Sequence, residues 1–574
     1  MADLKDHYDV VICGGGPVGL LTAYGLQRMG IETCVVERLE KQKLPMYGRA
    51  ATLLPRTLEM LDQYDLLTHL RQEGFVTRSG VNYDKDGRRD NTRGLRSVFD
   101  AMQGQTFLNY VLNIRLKYTE DIVKAEYEKI GGLVAGGWEV MGLTTQIDQR
   151  GEGRPVKVEV KNVNTLETRA LVGDYLVGAD GARSTVRHLS GVASIKDSST
   201  LRWVRIDGVV ETDMPDSRQG FATLESPIHG QVLFAALDHG TTRVGFSLSQ
   251  ELMDKYGENM TLEQVVEEAK LALKPFTLDF KCVDWYTVYN VRHSLADTFV
   301  KDRILLAGDA CHSHSSGTAQ GMNTGVHDSF NLTWKLAGVL KGWYHASILE
   351  TYNGERRPIA QQLIDLDKTF SKLISGTVPP ELVVARGGLA MDPNVLLAKV
   401  LEDNIQFTIG LGIGYGKNAL NVTTKSATLP CGRRAPDVAV HAPGASIPTR
   451  LQTVMKNVGL FWVVVFAGEP LLTGEKVRDL RGYLDGDDSM TKRHANKMVF
   501  LTIIAGNKPQ ADEALGVSRF GDAYYDHDSS AHDRYGVSVE RGAVVVIRPD
   551  GIVGFATALE SGPDLGEYFA RFLL

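Results

Sequence analysis

The sequence predicts an α/β protein of several domains, and three stretches carry that expectation. "YDVVICGGGPVGLLTAYGLQRMGIETCVVER" reads as strand, glycine loop, helix and second strand. "FATLESPIHGQVLFAALDHGTTRVGFSL" alternates apolar and polar residues as half-buried antiparallel strands do. Near the C-terminus, "GLFWVVVFAG", "MVFLTIIAG" and "GAVVVIRPDGIVGFA" are strand-like apolar runs separated by helical or loop segments. The 574 residues leave room for roughly two to four such units.

The first stretch is the most explicit. Val10 to Cys13 form a β-prone run, followed by Gly14, Gly16 and Gly19 in GxGxxG spacing with Pro17 and Val18 between them. The spacing gives Gly14 the tight turn, Gly16 the approach of a pyrophosphate and Gly19 the close packing of helix on strand. The helix N-terminus then offers unpaired N–H groups to phosphate. A second strand, Thr33 to Val36, ends in Glu37, an acceptor for a ribose hydroxyl. These features point to a dinucleotide, and NAD and FAD both satisfy them.

Two later junctions decide for FAD. In "DYLVGADGARSTVR" a strand ends at Asp180 and Gly181, with Arg183, Ser184 and Arg187 at a helix start. In "DRILLAGDACHSHSSGTAQGMNTGVHDSFNLTWKL" a buried strand leads to Asp309, placed to bond a polyol hydroxyl. Its small residues, with Ala319, Gln320, Gly321, Met322 and Asn323, offer backbone where a flat ring with carbonyl oxygens can rest. The helix that follows points its positive end back at that position.

Together the GxGxxG, DG and GD motifs resemble those of the single-component FAD-dependent aromatic hydroxylases, the para-hydroxybenzoate hydroxylase fold. "YGRAATLLPRTLEMLDQYDLL" and the glycine-rich loop after Asp309 look most like the phenol 2-monooxygenase branch. The resemblance covers nearly the whole chain. It implies noncovalent FAD, NADPH or NADH as a transient co-substrate, O2, and attack on an electron-rich ring by a flavin hydroperoxide. It further implies that Gly14, Gly16, Gly19 and Glu37 hold the ADP half of FAD and that Arg49 reaches the pyrophosphate. Asp309 would bind the ribityl chain and Gly321 to Asn323 the ring edge. Asp180 to Arg183 would serve both FAD and the nicotinamide cofactor.

Against the family pattern, Ser316 replaces a loop proline, and Leu116 replaces a glutamine, which moves an FAD contact onto Arg115. Ala51 stands where phenol hydroxylases carry an aspartate, Leu237 where they carry an arginine, and Gly245 near a tyrosine's place. Simple phenol is therefore a poor candidate, and a larger substituted phenol or phenolic acid is expected. Hydroxylation ortho or para, or at a carboxyl-bearing carbon with loss of CO2, gives a catechol or hydroquinone. The alternative is a flavin oxidase or dehydrogenase that inserts no oxygen. Tyr289 and His314 are the preferred catalytic residues, binding or polarising a phenolic oxygen. His229 and Tyr286 are weaker candidates.

The expected architecture is a Rossmann-like FAD-binding domain (1–190 and 290–365), an inserted antiparallel β-sheet substrate domain (191–289), a helical connector (366–425) and a thioredoxin-like domain (426–574). The last assignment rests on the resemblance, and no cysteine follows Cys431 to form a redox pair there. Basic and acidic residues number 63 and 70, a net charge of −7, which argues against nucleic-acid or anionic-membrane partners. Five dispersed cysteines show no metal-ligand spacing and fit a reducing compartment. No apolar run approaches the roughly 20 residues of a membrane span, and the N-terminus has no leader pattern. A cytoplasmic homodimer acting on a small phenolic compound is expected.

Overall fold

Five strands stand parallel in the first sheet, in the order Ile304–Leu306, Thr168–Gly178, His7–Cys13, Thr33–Glu37 and Leu133–Gly136. Val10, Val11 and Ile12 are fully buried, as a strand covered on both faces requires. The computed structural model describes residues 4–90, 94–145, 155–257, 259–384, 392–423, 430–487, 489–507 and 510–574. Helix Pro17–Arg28 follows the first strand, with proline in its first turn, and packs on helix Gln320–Leu340. The chain therefore closes this domain only after its second piece returns.

The inserted sheet has eight strands, in the order His312–Ser313, Asp279–Ala296, Ser194–Glu211, Thr242–Leu248, Gly230–Ala236, Phe221–Ser226, Gly80–Tyr83 and Arg89–Asp90. Its members differ from the expected span in three ways, one being His312–Ser313, which belongs to the second FAD-domain piece. Gly80–Tyr83 and Arg89–Asp90 come from the first piece of the chain, and strand Asp279–Ala296 continues past residue 289. All three follow from pairing: Gly80–Tyr83 lies parallel to Phe221–Ser226, and the long strand must reach His312–Ser313. Helix Leu262–Ala272, with a capping box at Thr261 and Gln264, covers the sheet's apolar side.

Helix Glu350–Ile374 leads away from the first domain, followed by the shorter helices Pro380–Val384, Pro393–Asp403 and Ile405–Thr408. The loop expected around "MDPN" begins at Met391, and the 425/426 boundary also falls outside the described residues. In the last domain, strands Phe461–Gly468, Met498–Ala505 and Asp522–Asp526 are parallel. Ala543–Ile547 runs antiparallel beside Phe461–Gly468, and Val553–Thr557 antiparallel to it in turn. A β-α-β unit flanked by an antiparallel hairpin and a final helix, Gly562–Phe569, is the thioredoxin-like arrangement.

Buried charges tie the last domain to the first and brace the first from within. Glu59 accepts from Arg434 Nε at 2.6 Å and from Arg56 Nη1 at 3.0 Å. Asp328 accepts from Arg356 Nε and lies against His312 Nε2, each at 2.7 Å. Burial alone would raise both carboxyls, but Arg434 and then Arg56 hold Glu59 at about 2, and His312 and Arg356 do the same for Asp328. A folded-state pKa below the unfolded one contributes stability that is complete above the unfolded value and lost as pH falls toward the folded one. The urea midpoint should therefore be flat from about pH 7 to 5 and fall steeply below about pH 4. A midpoint independent of pH down to about 3 would contradict these ion pairs.

Candidate active site

One cavity of about 690 Å³ runs from the N-terminus of helix Pro17–Arg28 to the inserted sheet, within the range of small-molecule sites. Gly16, Pro17, Val18, Arg49, Asp309, His314, Ala319, Gly321 and Met322 line it. Gly14 and Gly19 lie beneath its surface and set the backbone. A Cβ on Gly14, whose φ is 109°, would meet the Ala179 carbonyl, and one on Gly19 would overlap the Gly14 carbonyl. At Gly16 the nearest atom to such a Cβ is Glu120 Oε1, 3.9 Å away, so that position is open toward the cavity.

Several groups here lack protein partners among the described residues. Asp309 is exposed to the cavity and makes no hydrogen bond. Asp180 Oδ1, Thr318 Oγ1 and both ring nitrogens of His314 are buried and unpartnered, which is uncommon unless a ligand completes the site. Helix Gln320–Leu340 starts after Ala319 (φ 56°) with no side-chain cap, which leaves its first-turn N–H groups to be satisfied from the cavity. The glycine loop, Asp309 and this helix end together fit FAD.

Other expected contacts are engaged elsewhere. Glu37 accepts from Gly15 N at 2.7 Å and Leu39 N at 2.8 Å, so it braces the glycine loop. Asp180 Oδ2 accepts from Thr185 N and Val186 N, capping the helix after the DG turn. Arg183 is exposed and outside the cavity lining. Arg115 corrects the expectation from Leu116. Its guanidinium is held by Asp238 at 2.8 Å and Asp284 at 2.6 Å and does not line the cavity. Gln320 donates to the Thr408 carbonyl. Asn323 accepts from Leu54 N at 2.9 Å and donates to the Thr52 carbonyl at 3.0 Å. These two side chains fasten the helix start rather than face a ring.

Of the two catalytic candidates, His314 is in the lining and its side chain is only 1% exposed. Burial alone would lower its pKa, but Asp367, 3.8 Å away and beyond hydrogen-bond reach, outweighs this and raises it. Asp367 also accepts from Ser315 N at 2.8 Å and lies 2.9 Å from His293 Nε2. Tyr289 is not in the lining. Its hydroxyl is hydrogen bonded to Ser316, and its ring lies 4.5 Å from Arg49 Cζ, so it reaches the site only through these neighbours. His229 is buried against Glu268 at 2.9 Å, and Tyr286 is an exposed sheet residue.

Ala51, Leu237, Gly245 and Ser316, the positions that depart from the family pattern, all line the cavity. Phe99, Phe221, Leu233 and Phe246 give it apolar walls. The lining is nevertheless not uniformly apolar, because Arg205 and Arg243 enter it from the inserted sheet. The sequence reading missed Arg205 and Asp367. No local pattern marks either, since their surroundings come from other strands and helices.

The family described as "FAD binding domain" matches residues 7–367, and "Phenol hydroxylase, C-terminal dimerisation domain" matches residues 413–574. The chain belongs to the FAD-binding monooxygenases. This monooxygenase is 28% identical to the FAD-dependent monooxygenase ankC of Aspergillus thermomutatus, over 99% of this chain and 98% of the relative. It is also 28% identical to the 3-hydroxybenzoate 4-monooxygenase of Comamonas testosteroni, over 99% of this chain and 95% of the relative. The flavin-dependent monooxygenase PieE, solved with FAD and substrate, shares the fold with a TM-score of 0.75 at 20% identity, covering 100% and 99% of the two chains. This chain is thus an FAD-dependent aromatic monooxygenase with a dimerisation-type domain at its C-terminus. Among its described residues no helix is long and apolar enough to cross a membrane, and no group of three His, Cys, Asp or Glu could hold a metal ion.

Proposed function

We propose that this monooxygenase hydroxylates a substituted phenol or phenolic acid larger than phenol, with NADPH or NADH as reductant. The carrying observation is that a single cavity joins the FAD-type lining to a chamber in the inserted sheet walled in part by Phe221, Leu233 and Phe246. When bound, reduced FAD would supply the activation of O2, with one oxygen atom going to the ring and the other to water. Gly14, Gly16, Pro17, Val18 and Gly19 shape the pyrophosphate end, with Glu37 and Asp180 bracing it. Asp309 would bind the ribityl chain, and Ala319, Gly321 and Met322 would meet the ring edge. Arg49 faces the pyrophosphate region, and Arg183, exposed at the DG turn, meets the nicotinamide cofactor in passing.

His314 holds the phenolic oxygen at an unpartnered ring nitrogen and draws its proton, raising electron density in the ring. Tyr289 positions the loop through Ser316. With Ala51 and Leu237 in the wall, each additional buried CH₂ of a substituent adds about 0.8 kcal/mol of binding. Where the attacked carbon bears a carboxylate, CO2 leaves and a hydroquinone or catechol results. Two copies joined through the C-terminal domain form the working unit.

Phenol and alkyl-substituted phenols and hydroxybenzoates, supplied with NADPH and ¹⁸O₂, test the reading. One ¹⁸O atom per product and kcat/KM rising with substituent size are expected. Product without ¹⁸O, or phenol itself as the best substrate, would overturn it. Asp309→Ala should weaken FAD binding by about 1–3 kcal/mol, the cost of leaving hydroxyls unpaired. Unchanged affinity in a flavin titration would place the ribityl chain elsewhere.

A further inference from the structure

Strand Ser194–Glu211 pairs with Thr242–Leu248 so that Arg205 stands opposite Gly245. A Cβ on Gly245 would lie 2.7 Å from Arg205 Nη1, 2.8 Å from Cδ and 2.9 Å from Cζ. The guanidinium therefore fills the space that a side chain at position 245 would take. Gly245 has no left-handed φ, so room for Arg205, not backbone conformation, is what this position requires.

Arg205 is 6% exposed and lines the cavity. Charges buried this deeply are ordinarily paired. Its neighbours follow that rule: Arg243, equally buried, holds Asp207 through Nε and Nη2 at 2.7 Å each, and Arg115 is shared by Asp238 and Asp284. Arg205 differs. Among the described residues no carboxylate lies within 4.0 Å of it, and its one hydrogen bond runs from Nη1 to the carbonyl of adjacent Val204 at 2.9 Å. The Trp203 ring, 5.1 Å from Cζ, covers one side of the group. Nε and Nη2 have no protein acceptor among the described residues, in a chamber whose lining mixes Phe221, Leu233 and Phe246 with the polar Thr223, Glu225 and Gln231. Such a fork is the geometry that recognises a carboxylate in a bidentate way.

We propose that Arg205, seated over Gly245, anchors a carboxylate on the substrate, which makes the substrate an aromatic acid rather than a neutral phenol. This deepens the aromatic-monooxygenase reading and rests on it. The anchor enters from strand Ser194–Glu211, away from Leu237, just past strand Gly230–Ala236, and from Gly245 on Thr242–Leu248, the positions where the phenol 2-monooxygenase pattern carries its arginine and tyrosine.

The test is equilibrium binding to the FAD-loaded enzyme, followed by the change in flavin absorbance. 3-Hydroxybenzoate and 4-hydroxybenzoate are each compared with the hydroxybenzamide of the same skeleton, which keeps shape and loses charge. The acids should bind about tenfold or more tightly than the amides. In Arg205→Gln that preference should fall to within about threefold, with amide affinity and FAD content unchanged, and Arg205→Lys should lie between. An acid-to-amide ratio within about threefold in the unmodified enzyme overturns the proposal without reference to any variant. So does failure of either acid to bind, or a preference that survives in Arg205→Gln. Acid binding in the expected ratio without ¹⁸O incorporation would instead sink the monooxygenase reading and leave the anchor standing.

Discussion

Replacing Glu355 with alanine is expected to cost about 3–5 kcal/mol, the penalty of stranding buried cations without their anion. Glu355 is 2% exposed and sits where helix Glu350–Ile374 meets the C-terminal domain. Its carboxylate accepts from Lys335 Nζ at 2.8 Å, from Arg548 Nη1 and Nη2 at 2.6 and 2.9 Å, and from Asn331, Asn418 and Asn421. Burial depresses Lys335 to about 8 even with Glu355 beside it. Without Glu355 the cluster keeps Asp550, which Arg548 already holds through Nη2 at 2.6 Å. The measurement is urea unfolding of the FAD-loaded protein, with proteolysis near residue 430 reporting release of the last domain. A loss under about 1 kcal/mol would mean that the cluster is solvated and adds little.

Alanine at Gly19 and at Gly16 should fail in different ways. At Gly19 the new methyl overlaps the Gly14 carbonyl, so helix and strand must separate, at about 3 kcal/mol or more. That variant should be unstable as well as colourless. At Gly16 the protein has room, with Glu120 Oε1 3.9 Å away, so the fold should survive within about 1 kcal/mol. There the methyl meets the pyrophosphate instead, and FAD affinity should fall about tenfold or more. Thermal unfolding of the apoprotein and flavin titration separate the two cases. Equal apoprotein stability in both variants would show that Gly19 is not a packing glycine.

The parts of this fold that were legible in the sequence are those whose cause is local. The strand–loop–helix unit announces itself because Gly14, Gly16 and Gly19 each answer a short-range steric demand within a few residues. The inserted hairpins show their alternation, and helix Leu262–Ala272 shows its capping box. The rest depends on distant partners. Gly80–Tyr83 is too short to display a period, and it joins the inserted sheet only because Phe221–Ser226 is there to pair with. Arg115 looked available for cofactor because Asp238 and Asp284, its actual partners, lie 123 and 169 residues further on. Arg205 gave no sign for the same reason: its meaning lies in Gly245 opposite and in the absence of an acid beside it among the described residues. Ala51 and Leu237 were placed correctly in the cavity wall, but the apolar pocket inferred from them omitted the arginines of the neighbouring strands.

The return of the chain to its first domain also governs the order in which the protein can be completed during synthesis. Strand Thr168–Gly178 needs both His7–Cys13 and Ile304–Leu306 beside it, and helix Pro17–Arg28 waits for Gln320–Leu340. A ribosome that has released the first 300 residues therefore holds a sheet with an unpaired edge and a nucleotide loop facing no second wall. The cluster around Glu355 is in a worse position, since Arg548 follows Glu355 by 193 residues. Long-range closure of this kind is slow, because the chain loses loop entropy before it gains contacts. Until these distant partners emerge, the nascent polypeptide exposes both an aggregation-prone edge and unmatched charge, and its need for chaperone protection should last until they do.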